Sequence, residues 1–370
     1  MAVAFMSISK IAGSLEALIV GRFLIGLFCG LNMTLIPLYI QEVSPTRVRG
    51  AFSTMNQLSQ TVGIFAGQIM SLENILGTSR WWPFMLSLSA IPAILQYLTL
   101  PFCPGSPRYF IINCHEDELA AREAQSTQDV LEEIEAMKEE AANLTGREDA
   151  TMLRLFIVPS YKQPILIALI LNASTQLSGF NAIINYSTKI FRLAGVAHPT
   201  HTMGIGAINI LFTIFSVFLV ERLGRRSLLM FGQFVMALCK MLLTLSIATL
   251  GEVPWTKYFL ILALFTMVAF YEIGPGPISW YITAELFSQS ARPVAMGLTS
   301  SWNWFHKFIV AMFYQPLLHL VGPDVFLLFT GVLLVAVLYT YFRVPETRGR
   351  TFEEVAAEFR QVDAILTSCF

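Results

Sequence analysis

Charge is scarce in this chain. Only 13% of its 370 residues are charged, against roughly a quarter in an ordinary soluble domain. So few charges cannot clothe a soluble surface when 55% of the residues are hydrophobic, which argues against a single soluble domain. The same hydrophobicity excludes an intrinsically disordered chain. Neither sign is in excess: 24 basic residues face 25 acidic ones, so the footprint of a nucleic-acid binder is missing and no nucleic-acid partner is expected. Cysteine is sparse as well. Cys29, Cys103, Cys114, Cys239 and Cys369 follow no pairing or metal spacing, so neither a disulfide framework nor a zinc site is implied. There is no nucleophile–base pair and no phosphate-cradling glycine loop; Gly204-Ile-Gly206 lies in an apolar run and reads as helix packing. No enzyme activity, cofactor or metal is expected.

What the chain has is long hydrophobic runs. A helix needs about 20 residues to cross a bilayer. Nine runs reach that length, near 17–40, 51–72, 81–103, 164–187, 202–220, 227–250, 256–281, 293–317 and 324–343. The apolar stretch from Met1 to Gly13 is shorter, lacks a basic n-region and cleavage site, and reads as the stump of a longer helix. With the 44–50 loop in the cytoplasm and the sides alternating, sixteen basic residues fall inside and five outside. Without residues 113–150 the ratio is thirteen to five. This bias predicts a cytoplasmic C-terminus.

One segment is polar. Residues 113–150 hold twelve acidic residues and three basic ones, with Leu119, Val130, Ile134 and Met137 at helical spacing. Two readings stand: amphipathic helices on the cytoplasmic face, or a solvated linker. The expected divisions are an incomplete N-terminal transmembrane bundle over 1–103, a cytoplasmic helical loop over 104–162, a C-terminal bundle over 163–343 and a cytoplasmic tail over 344–370.

Two short patterns recur. Glu42 precedes Arg49 by seven residues in one loop, and Glu285 precedes Arg292 by seven in another, at an offset of 243. Pro104-Gly-Ser-Pro-Arg108 and Pro345-Glu-Thr-Arg348 each follow a span, at an offset of 241. This agreement points to two homologous halves, a common transporter design. Glu221-Arg-Leu-Gly-Arg225-Arg226 then has its counterpart before Met1. The second half has six spans and the first has three and a stump, so the expectation is an N-terminally truncated chain.

Several motifs stand in register along the whole chain: Gly21-Arg22; Pro37 with Glu42 to Gly50; Gln176-Leu-Ser-Gly-Phe-Asn181; Glu221 to Arg226; Glu272-Ile-Gly-Pro-Gly-Pro277 with Trp280; Glu285-Leu-Phe-Ser-Gln289; and Val344-Pro-Glu-Thr-Arg-Gly-Arg-Thr-Phe352. Together they resemble the sugar-porter branch of the major facilitator superfamily, close to the facilitative glucose transporters of animals. The resemblance implies an all-α membrane protein with the major facilitator fold. It would have a six-helix C-terminal bundle and an incomplete N-terminal one, about nine full spans plus the stump. It also implies a hexose substrate, glucose first, moved across the plasma membrane without a cofactor.

A hexose site needs amides, which both donate and accept, and an aromatic wall. The resemblance places Gln57, Gln176, Asn181, Asn209, Glu272, Trp280 and Asn303 there. Any one amide in a span could equally serve an interhelical hydrogen bond. Gly274-Pro-Gly-Pro277 should break its helix, since proline removes a hydrogen bond and glycine adds freedom. Trp280 would close over the sugar, and Trp304 reads first as a packing residue. At the span ends, Glu42 with Arg49, Glu221 with Arg225 and Arg226, Glu285 with Arg292, and Arg108 with Glu346 are candidate ion pairs. In the family such pairs lock the outward-facing state. They serve equally as positive-inside anchors.

Four departures from the family pattern stand out: Thr175 for a glutamine, Asn185 for a gating tyrosine, Gly105 for a glutamate, and the pair His306-Lys307 in a span. Lys307 is expected to reshape hexose choice or to find a carboxylate such as Glu272. Lys240 is expected to snorkel. Facilitated hexose diffusion by alternating access leads the functional readings. A proton-coupled sugar symporter and a truncated form that moves nothing are the alternatives.

Overall fold

The computed structural model describes residues 1–10, 12–44, 49–72, 74–78, 80–103, 105–106, 151–193, 199–249, 253, 255–287, 291–350 and 354–355. Among them there is no β-strand. The helices are α1 (Ala2–Ile8), α2 (Leu15–Val43), α3 (Arg49–Met70), α4 (Trp82–Ser87), α5 (Ala90–Thr99), α6 (Met152–Ile157), α7 (Pro159–Leu177), α8 (Phe180–Leu193), α9 (Pro199–Leu223), α10 (Arg225–Ala248), α11 (Thr256–Ile273), α12 (Pro275–Leu286), α13 (Arg292–Val321) and α14 (Val325–Arg343). The amphipathic helices expected over 113–150 lie outside the described residues, as do Arg108 and the side chain of Arg49.

Among the described residues, seven helical stretches are long and apolar enough to cross a membrane, by length and composition. Each of the nine expected runs falls on helix, but the two sets differ for physical reasons. The stretch Arg292–Arg343 holds both α13 and α14, joined by a 3₁₀ turn over Gly322–Asp324. Helix α3 is not among the seven. It carries Ser53, Thr54, Asn56, Gln57 and Thr61, all buried, so its polar face is turned toward protein.

Two expected single helices are broken. The run 81–103 divides into α4 and α5, with Leu88 and Ser89 between them. Pro92 lacks an N–H, and its ring crowds the carbonyl four residues back, on Leu88. The run 164–187 divides into α7 and α8 at Ser178-Gly179, where Gly179 takes φ +72. This glycine is required twice over. The left-handed backbone disfavours a side chain, and an added Cβ would lie 2.5 Å from the Phe329 ring. The expected break at Gly274 is present, between α11 and α12.

The chain forms two compact units, one of Met1–Pro45 with Phe65–Glu148, the other of Thr46–Ile64 with Asp149–Phe370. Within the first, α1 packs on α2, where Gly21 lets Met6 and Ala2 approach. Ser7 and Ser87 share a hydroxyl hydrogen bond of 2.7 Å, and Lys10 donates to the Arg80 carbonyl at 3.1 Å. The second unit holds residues 46–64, which the sequence assigns to the first bundle, and two apolar clusters. One includes Phe180, Ile183, Met236, Tyr271 and Phe326; the other includes Leu171, Val220, Leu229, Ile273 and Ile282. The chain passes from one cluster to the other at the two breaks. Leu171 and Phe180 flank the first, and Tyr271 and Ile273 lie just before the second. Large apolar side chains also face outward, among them Phe23 and Phe28 on α2 and Val335 and Phe342 on α14. Such a surface suits hydrocarbon rather than water.

Candidate functional site

Polar side chains collect where the two apolar clusters meet. Along α7, Asn172 and Gln176 are one turn apart and share a face. Both are buried. Asn181 follows the break. Its Nδ2 donates to Gln176 Oε1 at 2.8 Å, Gln176 Nε2 donates to Asn303 Oδ1 at 2.9 Å, and Asn303 Nδ2 donates to Asn172 Oδ1 at 3.0 Å. The chain of amides ends where Asn172 Nδ2 donates to the Ala168 carbonyl at 2.9 Å. Three elements therefore meet here: α7, α8 and α13. Thr175, which departs from the family pattern, shares a 2.6 Å hydrogen bond with Ser279 of α12.

A second group gathers around Glu272, which is 2% exposed at the end of α11. Its Oε2 accepts from Gln57 Nε2 at 3.0 Å and from Thr213 Oγ1 at 3.1 Å. The single Thr213 hydroxyl proton is shared with the backbone carbonyl of Asn209 at 2.6 Å, one turn earlier on α9. Trp280 and Trp304 form a tilted ring pair with centroids 6.5 Å apart. Among the described residues no hydrogen bond joins this group to the amide chain. Among the buried polar atoms that find no hydrogen-bond partner among the described residues, Gln57 Oε1, Asn209 Oδ1 and Trp304 Nε1 belong to residues of this group. A buried polar atom left open costs about 1–3 kcal/mol, so such atoms point to a ligand or water.

The break before α12 frees a backbone carbonyl inside the protein. Pro277 has no N–H to bond the carbonyl of Ile273. Ser216 of α9 supplies the missing donor at 2.9 Å. Gly274 fits because its α-carbon lies against the backbone of Leu228, where a side chain would collide.

Charge is concentrated at the other end of the second unit. The Arg225 guanidinium, 3% exposed, meets Glu285 Oε1 at 3.1 Å and Glu221 Oε2 at 3.4 Å. Glu285 Oε2 accepts from Thr347 Oγ1 at 2.5 Å. Glu221 Oε1 accepts from the backbone N–H of Ala51 at 3.0 Å, in the first turn of α3. Glu346 accepts from the backbone N–H groups of Arg225 at 2.8 Å and Arg226 at 3.1 Å, capping α10.

These contacts sort the expected residues. The pair Glu221–Arg225 forms. Glu285 takes Arg225 as its ion-pair partner, while Arg292 donates to the carbonyls of Ala284 and Phe287. The Arg226 side chain donates to the Tyr341 carbonyl and lies over that ring at 5.7 Å. The expected partners of Glu42 and Glu346, Arg49 and Arg108, fall outside the described side chains. Lys307 lies over the Trp304 ring at 4.6 Å. Lys240 does not snorkel: it is fully buried, and its ammonium donates to the Ser178 carbonyl.

A family model described as "Sugar (and other) transporter" matches residues 1–359. The chain belongs to the sugar transporter family. This sugar transporter is 48% identical over 359 residues to "Solute carrier family 2, facilitated glucose transporter member 3" of Homo sapiens, covering 96% of this chain and 72% of that protein. It is 49% identical to the protein of the same description from Gallus gallus, over 97% of this chain and 73% of the relative. In fold it is similar to the proton:xylose symporter XylE of the major facilitator superfamily bound to 6-bromo-6-deoxy-D-glucose. The TM-score is 0.79 at 22% identity, over 97% of this chain and 82% of that one. An inward-open XylE from E. coli matches at TM-score 0.67. The sugar transporter, helical and free of strands among its described residues, is thus an integral multi-pass membrane protein with the major facilitator fold, and its family are transporters rather than enzymes.

Sequence reasoning missed three participants. Thr213 sits one turn after Asn209 and shares its face, which is a readable signal. Asn172 sits one turn before Gln176 in the same way. Lys240 carried the clearest signal, a lone charge inside an apolar span.

Proposed function

We propose that this chain carries a hexose, glucose foremost, across the plasma membrane by facilitated diffusion with alternating access. The observation that carries the reading is the amide-rich polar layer between two apolar clusters, with Gln57 Oε1, Asn209 Oδ1 and Trp304 Nε1 left open. Amides that donate and accept, with tryptophan faces beside them, match the hydroxyl ring and apolar patches of a sugar. Gln57, Gln176, Asn181, Asn209, Glu272, Asn303 and Trp280 make the sugar contacts. The similarity to proteins named facilitated glucose transporters supports the same substrate.

The charged cluster is the switch. Its charges hold one arrangement of the helices while paired, and release them as α11 and α12 hinge at Gly274. The cluster faces the cytoplasm, in keeping with the positive-inside bias, and residues 1–103 and 163–343 act as two bundles joined by 104–162.

The test is zero-trans uptake of D-glucose in hexose-transport-deficient cells expressing the full chain. Saturable uptake that competes with excess unlabelled glucose and survives a protonophore is the expected result. Saturable uptake abolished by the protonophore would assign a symporter instead. Uptake equal to that of cells carrying empty vector would overturn the transport reading.

A further inference from the structure

Each helix break frees backbone carbonyls in an apolar setting, where an open carbonyl is costly. At the α11/α12 break a hydroxyl, Ser216, closes the Ile273 carbonyl. At the α7/α8 break the donor is a whole ammonium. Lys240 of α10 is 0% exposed, and its Nζ donates to the carbonyl of Ser178, the residue that ends α7. A cation at a helix C-terminus is well placed against the helix dipole. The same ammonium lies 5.6 Å from the Phe329 ring centroid. That ring packs on Gly179, and Phe180 stacks on Tyr271 with centroids 3.5 Å apart. Among the described residues no carboxylate pairs with Lys240. A lysine so placed in a span is costly, which makes it a candidate functional residue.

The turn it holds separates Gln176 from Asn181, whose side chains bond across it at 2.8 Å. We propose that Lys240 is a positioning residue for sugar binding: by holding the Ser178 carbonyl it fixes the turn, and with it the spacing of the Gln176–Asn181 amide pair offered to the hexose. This rests on the sugar-carrier reading above. A lysine that served only to stabilise the fold would set the amount of protein in the membrane. A lysine that sets the amide spacing acts on affinity.

The experiment measures D-glucose uptake by the full chain and by Lys240→Met and Lys240→Gln, each normalised to the protein counted in the membrane. Loss of the donor in Lys240→Met raises KM about tenfold, while Vmax per molecule stays within about twofold. Lys240→Gln keeps a neutral donor and raises KM only about threefold. An unchanged KM in Lys240→Met overturns the proposal. If Lys240→Met does not reach the membrane, Lys240→Gln decides: a KM raised about threefold supports the proposal and an unchanged KM overturns it. Failure of both to accumulate assigns the lysine to folding and overturns the proposal too. A parent chain with no saturable uptake sinks the transport reading and the inference with it, whereas a transporting parent with an indifferent variant sinks only the inference.

Discussion

The middle and the charged end of the second unit are both polar, yet they are built from opposite materials. The middle is dominated by amides: Gln176, Asn181, Asn303 and Asn172 pass hydrogen bonds from one to the next, with Glu272 and Lys240 as its isolated ionisable groups. The end uses ions: Arg225 is held between Glu285 and Glu221. An amide can exchange one partner for another, because it carries donors and an acceptor together. A buried guanidinium is either paired or strongly penalised. On the proposed function, the middle would trade protein hydrogen bonds for those of a sugar hydroxyl, and the end would snap between two arrangements.

This contrast predicts that changes at the two places act on different observables. Arg225→Leu leaves two carboxylates without their cation and should cost about 3–5 kcal/mol, the usual penalty for opening a buried pair. The expected outcome is a large fall in thermal stability of the purified protein, with whatever reaches the membrane showing altered turnover and an ordinary KM. A stable protein with a raised KM would erase the distinction. Gln176→Leu strands the Nδ2 of Asn181 and the Oδ1 of Asn303, at about 1–3 kcal/mol, so KM for glucose should rise about tenfold. Unchanged affinity in uptake assays would remove the amide chain from the sugar path.

Smaller effects sharpen the comparison. Thr213→Val takes one of the two donors from Glu272 Oε2 and should raise KM about threefold, comparable to one ordinary hydrogen bond. Lys307 sits over Trp304 rather than in the amide chain. Lys307→Asn should therefore leave overall uptake intact and shift the glucose-to-fructose ratio about twofold, the scale of one exposed cation–π contact. Identical ratios in parent and variant would deny Lys307 any part in hexose choice.

Much of this was legible in the sequence, and the illegible part has a common cause. Helix positions follow from hydropathy, and the break at Gly274 follows from Pro275 and Pro277. The break at Gly179 was not foreseen, because a lone glycine in an apolar run is compatible with an unbroken helix until a neighbour such as Phe329 demands the left-handed turn. Partners distant in sequence are equally hidden. Spacing suggested Arg292 for Glu285, seven residues apart, but the ion pair forms with Arg225, sixty residues earlier. Gln57 and Glu272 are separated by 215 residues, and no periodicity can join them. Helix α3 shows the reverse case. Length suggested a span, but its polar face, written openly in Ser53, Thr54, Asn56 and Gln57, keeps it from the apolar set.

Glu346 lies just beyond the last helix, yet it caps α10 through two backbone N–H groups and accepts a third, from Arg348, at 3.1 Å. This has a practical bearing on how the protein is handled. A fluorescent reporter or affinity tag spliced directly after Arg343 would displace Val344 to Arg348 and unmoor the start of a helix more than a hundred residues upstream. The same label attached after residue 355 leaves that cap in place, and is the safer site for counting molecules in cells.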